Sequence, residues 1–137
     1  MNRILCCYKP KHKTNSIHII KDAFKELQNV INESCDSKHY GHIYMIKERE
    51  FVNANLNVYK IGKSTKIVNR MPSYPKNSLI YFIVYVPYDV HKIEKILISE
   101  CDKNFIQRQD IGREYYECDL QSIMNLLNEF QKQLYIV

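Results

Sequence analysis

Residues 79–86, Leu-Ile-Tyr-Phe-Ile-Val-Tyr-Val, run for eight positions without a charge, a glycine or a proline. This run constrains the fold more than any other feature. It is far shorter than the roughly 20 apolar residues that a bilayer span needs, and it is rich in the β-branched and aromatic residues that suit a pleated sheet. It therefore reads as a central strand covered on both faces. Tyr81, Phe82 and Tyr85 are then expected in the core and not on a base-stacking surface. A chain of 137 residues can surround such a strand with one packed core.

The rest of the pattern places that strand among both kinds of element. Gly41–Lys47 and Asn57–Gly62 alternate as strands around a polar loop, which predicts an antiparallel hairpin. Ser64 or Thr65 is positioned to cap a short helix holding Ile67, Arg70 and Met71, with Pro72 stopping it because a pre-proline residue avoids the α region. Asp89 caps a helix of about 15 residues reaching Asn104, Glu114–Glu117 reads as a last short strand, and Asp119 caps a final helix striped by Leu120, Ile123, Leu127, Phe130 and Leu134. The expected fold class is thus α/β, more narrowly α+β, with a small antiparallel sheet flanked by helices. Upstream, Ile17, Ile20, Phe24, Leu27 and Ile31 recur at helical spacing and predict an added N-terminal amphipathic helix. The chain divides into a basic arm and that helix over 1–38 and a main domain over 39–137.

Charge narrows the function. The net +5 is uneven: residues 41–80 carry seven Lys/Arg against two Asp/Glu, and residues 81–137 carry six against nine. A basic middle beside an acidic end suits a polyanion-binding surface near a carboxylate pocket, although ordinary solvated lysines give the same count. Five cysteines form an odd set without disulfide-framework spacing, and the start of the chain lacks an apolar leader core. An intracellular, soluble protein with no membrane partner is expected.

Two local features point to chemistry. On the helix after Asp89, Val90, Ile93, Leu97, Cys101 and Phe105 share one stripe, and Glu94 falls inside it while Lys92, Lys95, Ser99 and Lys103 lie opposite. A carboxylate aimed at a core costs several kcal/mol unless it meets a cation, a metal or a donor; a salt bridge to Arg70 or Lys60 would satisfy it as well as a metal ion would. His91 sits at the edge of this face and reads as a surface histidine. The second feature is the scarcity of glycine: Gly41, Gly62 and Gly112 are the only three, each at the border of a predicted strand. Close backbone approach or positive φ is one reason for such placement, and plain turns are another.

Taken in order, Gly41-His42-Ile43-Tyr44, then Tyr59-Lys60-Ile61-Gly62-Lys63-Ser64, Arg70, the helical Glu94 and Gly112-Arg113-Glu114-Tyr115 resemble the GIY-YIG nuclease superfamily. More narrowly they resemble the branch named after an open reading frame of bacteriophage T5, which includes single-domain versions carried by large DNA viruses. The resemblance spans about residues 41–119. It implies an endonuclease that hydrolyses phosphodiester bonds of DNA, or of RNA, with one Mg²⁺ or Mn²⁺ ion. Carried over, Tyr44 contacts or deprotonates the attacking water, Arg70 holds the scissile phosphate and Glu94 binds the metal. Two positions depart from the main superfamily pattern: Lys60 stands where the second tyrosine belongs, and Glu114 stands where an asparagine is usual, as a second metal ligand or a cap. The T5-like branch shares both departures. Lys63, Lys66 and Lys76 complete the expected nucleic-acid-binding set, and a viral member would work in the host cytoplasm. The competing expectations are a non-catalytic DNA-binding module of the same fold and a viral interaction or structural protein assembled through the N-terminal helix, with the oligomeric state left open.

Overall fold

The computed structural model describes residues 23–33 and 38–135. It is an α+β domain with a five-stranded antiparallel sheet. The first helix, α1, covers residues 23–33. The remaining elements are β1 (Gly41–Lys47), α2 (Arg49–Asn53), β2 (Val58–Ser64), α3 (Ile67–Arg70), a 3₁₀ turn at Met71–Ser73, β3 (Leu79–Val86), α4 (Val90–Asn104), β4 (Ile106–Gln107), β5 (Tyr115–Glu117) and α5 (Leu120–Leu134). Strand order is β3-β1-β2-β5-β4.

Period-two alternation divides the sheet into two faces. Ile43, Met45, Tyr59, Ile61, Phe82, Val84 and Val86 join Ile93 and Leu97 of α4 and Ile123, Leu127 and Phe130 of α5 in one core. The other face carries Tyr44, Lys60 and Gly62, and is covered in part by α2 and by the segment after α3. Phe51 of α2 stands edge-on to Tyr115, and Tyr74 stands edge-on to Tyr44.

Both long helices begin where their caps predict. The Asp89 carboxylate accepts from the His91 and Lys92 amides, and that of Asp119 from the Ser122 amide. Of the striped N-terminal residues, Ile17 and Ile20 lie outside the described residues. Leu27 is fully buried with Ala23 in the common core, and the Gln28 side-chain amide donates to the Gln133 carbonyl of α5 at 3.3 Å. Helix α1 thus packs onto its own chain. Leu27→Ala is expected to cost about 2–5 kcal/mol through lost burial and a cavity, read as a lower midpoint in a thermal melt. An unchanged midpoint would mean that α1 adds nothing to the fold.

Four expectations need correction. Strand β3 lies at the sheet edge, not the centre, and Ile80, Ile83 and Tyr85 are 55%, 46% and 44% exposed. An unbroken apolar run reports composition on two faces and cannot report whether both are covered. The edge is broken by a register shift opposite Met45 and Ile46, a common way of spoiling an edge for further pairing. Pro72 does not stop helix α3: Met71 stays in the right-handed helical region and the chain continues as a 3₁₀ turn with proline in its first turn, where no amide partner is needed. Ser64 accepts from the Lys66 amide at 2.9 Å, yet the residue preceding α3 is Lys66 and no side chain caps the helix. Finally, the loop after β1 holds the short helix α2, and its positive φ falls on Asn55, while no glycine has a positive φ.

Candidate active site

Alternation along β2 decides which side chains meet. Lys60, Gly62 and Ser64 point to the face that carries Tyr44; Ile61 and Lys63 point to the face packed by α4. The predicted site residues therefore gather in two groups, one on each face of β2.

The first group is built on Tyr44. Its ring is fully buried, directly opposite Gly62 in the β1–β2 ladder. A Cβ on Gly62 would lie 2.5 Å from the Tyr44 Cζ and hydroxyl, so only glycine leaves room for the ring. At Gly41 a Cβ would run into the Ser64 carbonyl, and this too is close approach and not a turn. The Tyr44 hydroxyl shares a 2.6 Å hydrogen bond with the Tyr74 hydroxyl and accepts from Arg70 Nε at 3.3 Å. Its pKa is pushed up to about 12, by burial first and the Tyr74 hydrogen bond second, while Arg70 pulls the other way. Lys60 Nζ lies 5.0 Å from the centre of the Tyr74 ring and 5.7 Å from that of Tyr115, so the position that departs from the tyrosine pattern holds a cation over two aromatic faces.

The second group is built on Glu94, which is 5% exposed, as its place in the apolar stripe requires. Its Oε1 accepts from Lys63 Nζ at 3.0 Å. The partner is Lys63, and neither Arg70 nor Lys60 is the salt-bridge partner. Its Oε2 is buried with no hydrogen-bond partner among the described residues. Burial raises the Glu94 pKa more than Lys63 lowers it, and the neighbouring Glu114 raises it further. Glu114 stands beside it because its carbonyl accepts from the Ile61 amide at 3.0 Å, which carries β5's alternation back to the α4 side. Glu94 and Glu114 share a cleft of about 450 Å³ with Lys63, His91, Lys92, Lys95, Ile98 and Arg113.

This pair of carboxylates fits a hard divalent ion. The Glu94 Oε2 has no donor among the described residues, and Mg²⁺ typically takes one or two carboxylates while water and substrate phosphate fill its other positions. No group of three or more His, Cys, Asp or Glu suited to a metal occurs among the described residues, so an ion here would depend on such outside ligands.

The other predicted residues are more dispersed. Lys66, Arg70 and Lys76 are exposed around α3 and the loop behind it. Gly112 lies against the Tyr115 ring, away from the Tyr44 group's hydrogen bonds. Tyr74 is the residue that sequence reasoning missed. It lies in a loop between Pro72 and Pro75 with no periodic signal, and only its position four residues after Arg70 offers a clue.

A small antiparallel sheet with a buried phenol and an arginine on one face and a carboxylate cleft on the α4 side, built on one β-hairpin and the helix after the third strand, agrees with a GIY-YIG-type domain. A family model for the T5orf172 domain matches residues 41–131, so the chain belongs to that family, a nuclease-like, DNA-binding branch of the GIY-YIG superfamily. No curated protein and no solved structure matches the chain. Helix α1 lies outside the matched residues. Among the described residues no helix is long and apolar enough to cross a membrane.

Proposed function

We propose that the protein hydrolyses phosphodiester bonds of nucleic acid, with DNA as the first substrate to test, using one Mg²⁺ or Mn²⁺ ion held by Glu94 and Glu114. The observation that carries this reading is the buried Oε2 of Glu94, without a hydrogen-bond partner among the described residues, in a cleft that Glu114 also lines. A divalent ion bound there would supply a Lewis acid that acidifies a water and offsets charge on the phosphate.

The chain's own residues do the positioning. The Nε bond to Tyr44 fixes the plane of the Arg70 guanidinium, whose fork suits two phosphate oxygens. With a pKa near 12, Tyr44 is a neutral phenol at physiological pH, and its buried hydroxyl positions Arg70 and Tyr74 and does not serve as the base. Tyr74 supplies the second phenol that Lys60 replaces in the strand motif, and Lys60 adds positive charge beneath it. In the reaction, water oxygen bonds to phosphorus and the water gives up a proton to solvent, while the bond from phosphorus to the leaving oxygen breaks and that oxygen takes a proton from solvent to leave as a hydroxyl. The direct test incubates purified protein with supercoiled, single-stranded and branched DNA in Mn²⁺ and in EDTA. Nicking that needs Mn²⁺ supports the reading, and intact DNA in every lane rejects it.

Binding without cleavage is the second reading, favoured by the same raised Tyr44 pKa and by Lys60 at a tyrosine position. Both readings share one expectation. Exchanging the exposed Lys66 and Lys76 for Glu should weaken binding to all sequences alike and lower the slope of log K against log salt by about 1.8, roughly 0.9 for each phosphate that is no longer neutralised. A slope equal to that of the wild type would remove these lysines from the interface.

A further inference from the structure

We propose that Lys92 and Lys95 of α4, with Arg113, form a second backbone-binding rim, from which one strand of the nucleic acid continues along the groove between α4 and α1. The proposal rests on the nucleic-acid reading above but adds the α1 segment, which lies outside the matched residues 41–131.

Three observations support it. First, positive charge in the Glu94 cleft exceeds what its carboxylates use: Lys63 is committed to Glu94, while Lys92, Lys95 and Arg113 stand against Glu114. Neither Lys92 nor Lys95 makes a salt bridge with a described residue, and both are exposed. Arg113 reaches Asp102 only at 3.6 Å with its side chain 70% exposed, a pair weak enough to yield to phosphate. Second, a groove of about 430 Å³ is lined by Lys92, Lys95, Ile96 and Ser99 of α4 and by Glu26, Asn29 and Val30 of α1. Cleft and groove share Lys92 and Lys95, so they are neighbours along α4. Third, Lys92, Lys95 and Ser99 follow one another at i, i+3 and i+7, which aligns two ammonium groups and a hydroxyl along a single face. Ammonium, hydroxyl and amide are the groups that contact phosphate and sugar without reading sequence. Among the described residues that line the groove, Glu26 is the one carboxylate.

The stripe of Lys92, Lys95 and Ser99 has the pattern of a solvated face in the sequence. What separates it from one is the wall that α1 raises opposite it, and the same packing that buries Leu27 builds that wall.

The test measures fluorescence anisotropy of the full chain with a fluorescein-labelled mixed-sequence duplex of about 25 base pairs, and with its single strand, across a salt series. Lys92→Glu with Lys95→Glu should lower affinity at least tenfold at low salt and reduce the duplex slope by about 1.8. The fold should tolerate the pair, since both side chains are exposed and an acidic residue in the first turn of a helix favours its dipole. Glu26→Lys should raise affinity several-fold and steepen the slope by about 0.9, whereas Glu129→Lys, an equal charge change on α5, should do neither. The α1 variant should keep any Mn²⁺-induced rise in melting temperature, because Glu26 does not line the cleft of Glu94 and Glu114. A wild type that binds, with the lysine pair changed to no effect, overturns this inference and leaves the function standing. Glu26→Lys behaving like Glu129→Lys would overturn the α1 groove as part of the path. A wild type that binds neither probe at low salt overturns both the inference and the reading beneath it.

Discussion

Glu94→Gln is expected to abolish metal-dependent cleavage while leaving the fold standing. The exchange keeps the side chain's volume and removes the charge that would hold a divalent ion; losing about 4 kcal/mol of transition-state stabilisation corresponds to roughly a 10³-fold lower rate. The rise in melting temperature on adding Mn²⁺ should vanish with it, and salt-dependent DNA binding should persist. The pH dependence offers a separate check. Burial raises the folded-state pKa of Glu94 above the ordinary value of 4.5. Its contribution to stability is therefore fully present below pH 4.5 and is lost as pH rises through the folded value. Without metal, the wild type should lose stability as pH climbs from 4.5 towards neutrality, and the Gln variant should lose less. Lys63, one third exposed, can take water in place of the lost partner. Thermal melts of both proteins from pH 4.5 to 8, with and without Mn²⁺, carry the whole comparison. A wild type that gains nothing from Mn²⁺ would remove the ion from Glu94 and leave binding without cleavage as the better reading.

The second large effect is expected at Gly62. In Gly62→Val the new Cβ falls 2.5 Å from the Tyr44 ring, and the ring is buried on every side, so the clash cannot be relieved by swinging into solvent. Overpacking of this kind costs about 1–3 kcal/mol. The functional loss should be greater, because the ring must move away from Tyr74 and Arg70, and a displacement near 1 Å in a positioned group can reduce a rate about 10²-fold. A melt and a nicking assay on one preparation measure both. Wild-type nicking by a folded Gly62→Val protein would show that the Tyr44–Tyr74–Arg70 contact plays no part in the chemistry.

The parts of the fold that are legible in the sequence are those fixed by local chemistry. Asp89 and Asp119 name the starts of α4 and α5 because each carboxylate satisfies amides within its own helix, and helical period then buries Glu94 without reference to anything else. Gly62 is visible as a position suited to close approach, though the group approaching it is not. What stays hidden depends on non-local pairing. The exposure of Ile83 and Tyr85 follows from β3 having one neighbour, which is a matter of strand order and not of composition. Lys63, expected among phosphate-binding residues, lies against Glu94, because its face is set by the register of β2 against β1. Tyr74 reaches Tyr44 through a proline-flanked loop whose path no periodicity describes.

Strand β2 uses its two faces for different tasks, with Gly62 making room for a phenol on one and Lys63 answering a carboxylate on the other. A slip of one residue in this strand would not weaken the site gradually. According to its direction it would put lysine or isoleucine where the ring needs empty space, and serine or glycine where Glu94 needs a cation, disabling both halves at once. Lengthening or shortening the chain within 58–63 is thus forbidden in steps of one, while the turn at residues 54–57, exposed throughout, can absorb such changes before the pairing begins. The domain can diversify in its connections, but through these six positions it inherits its spacing whole.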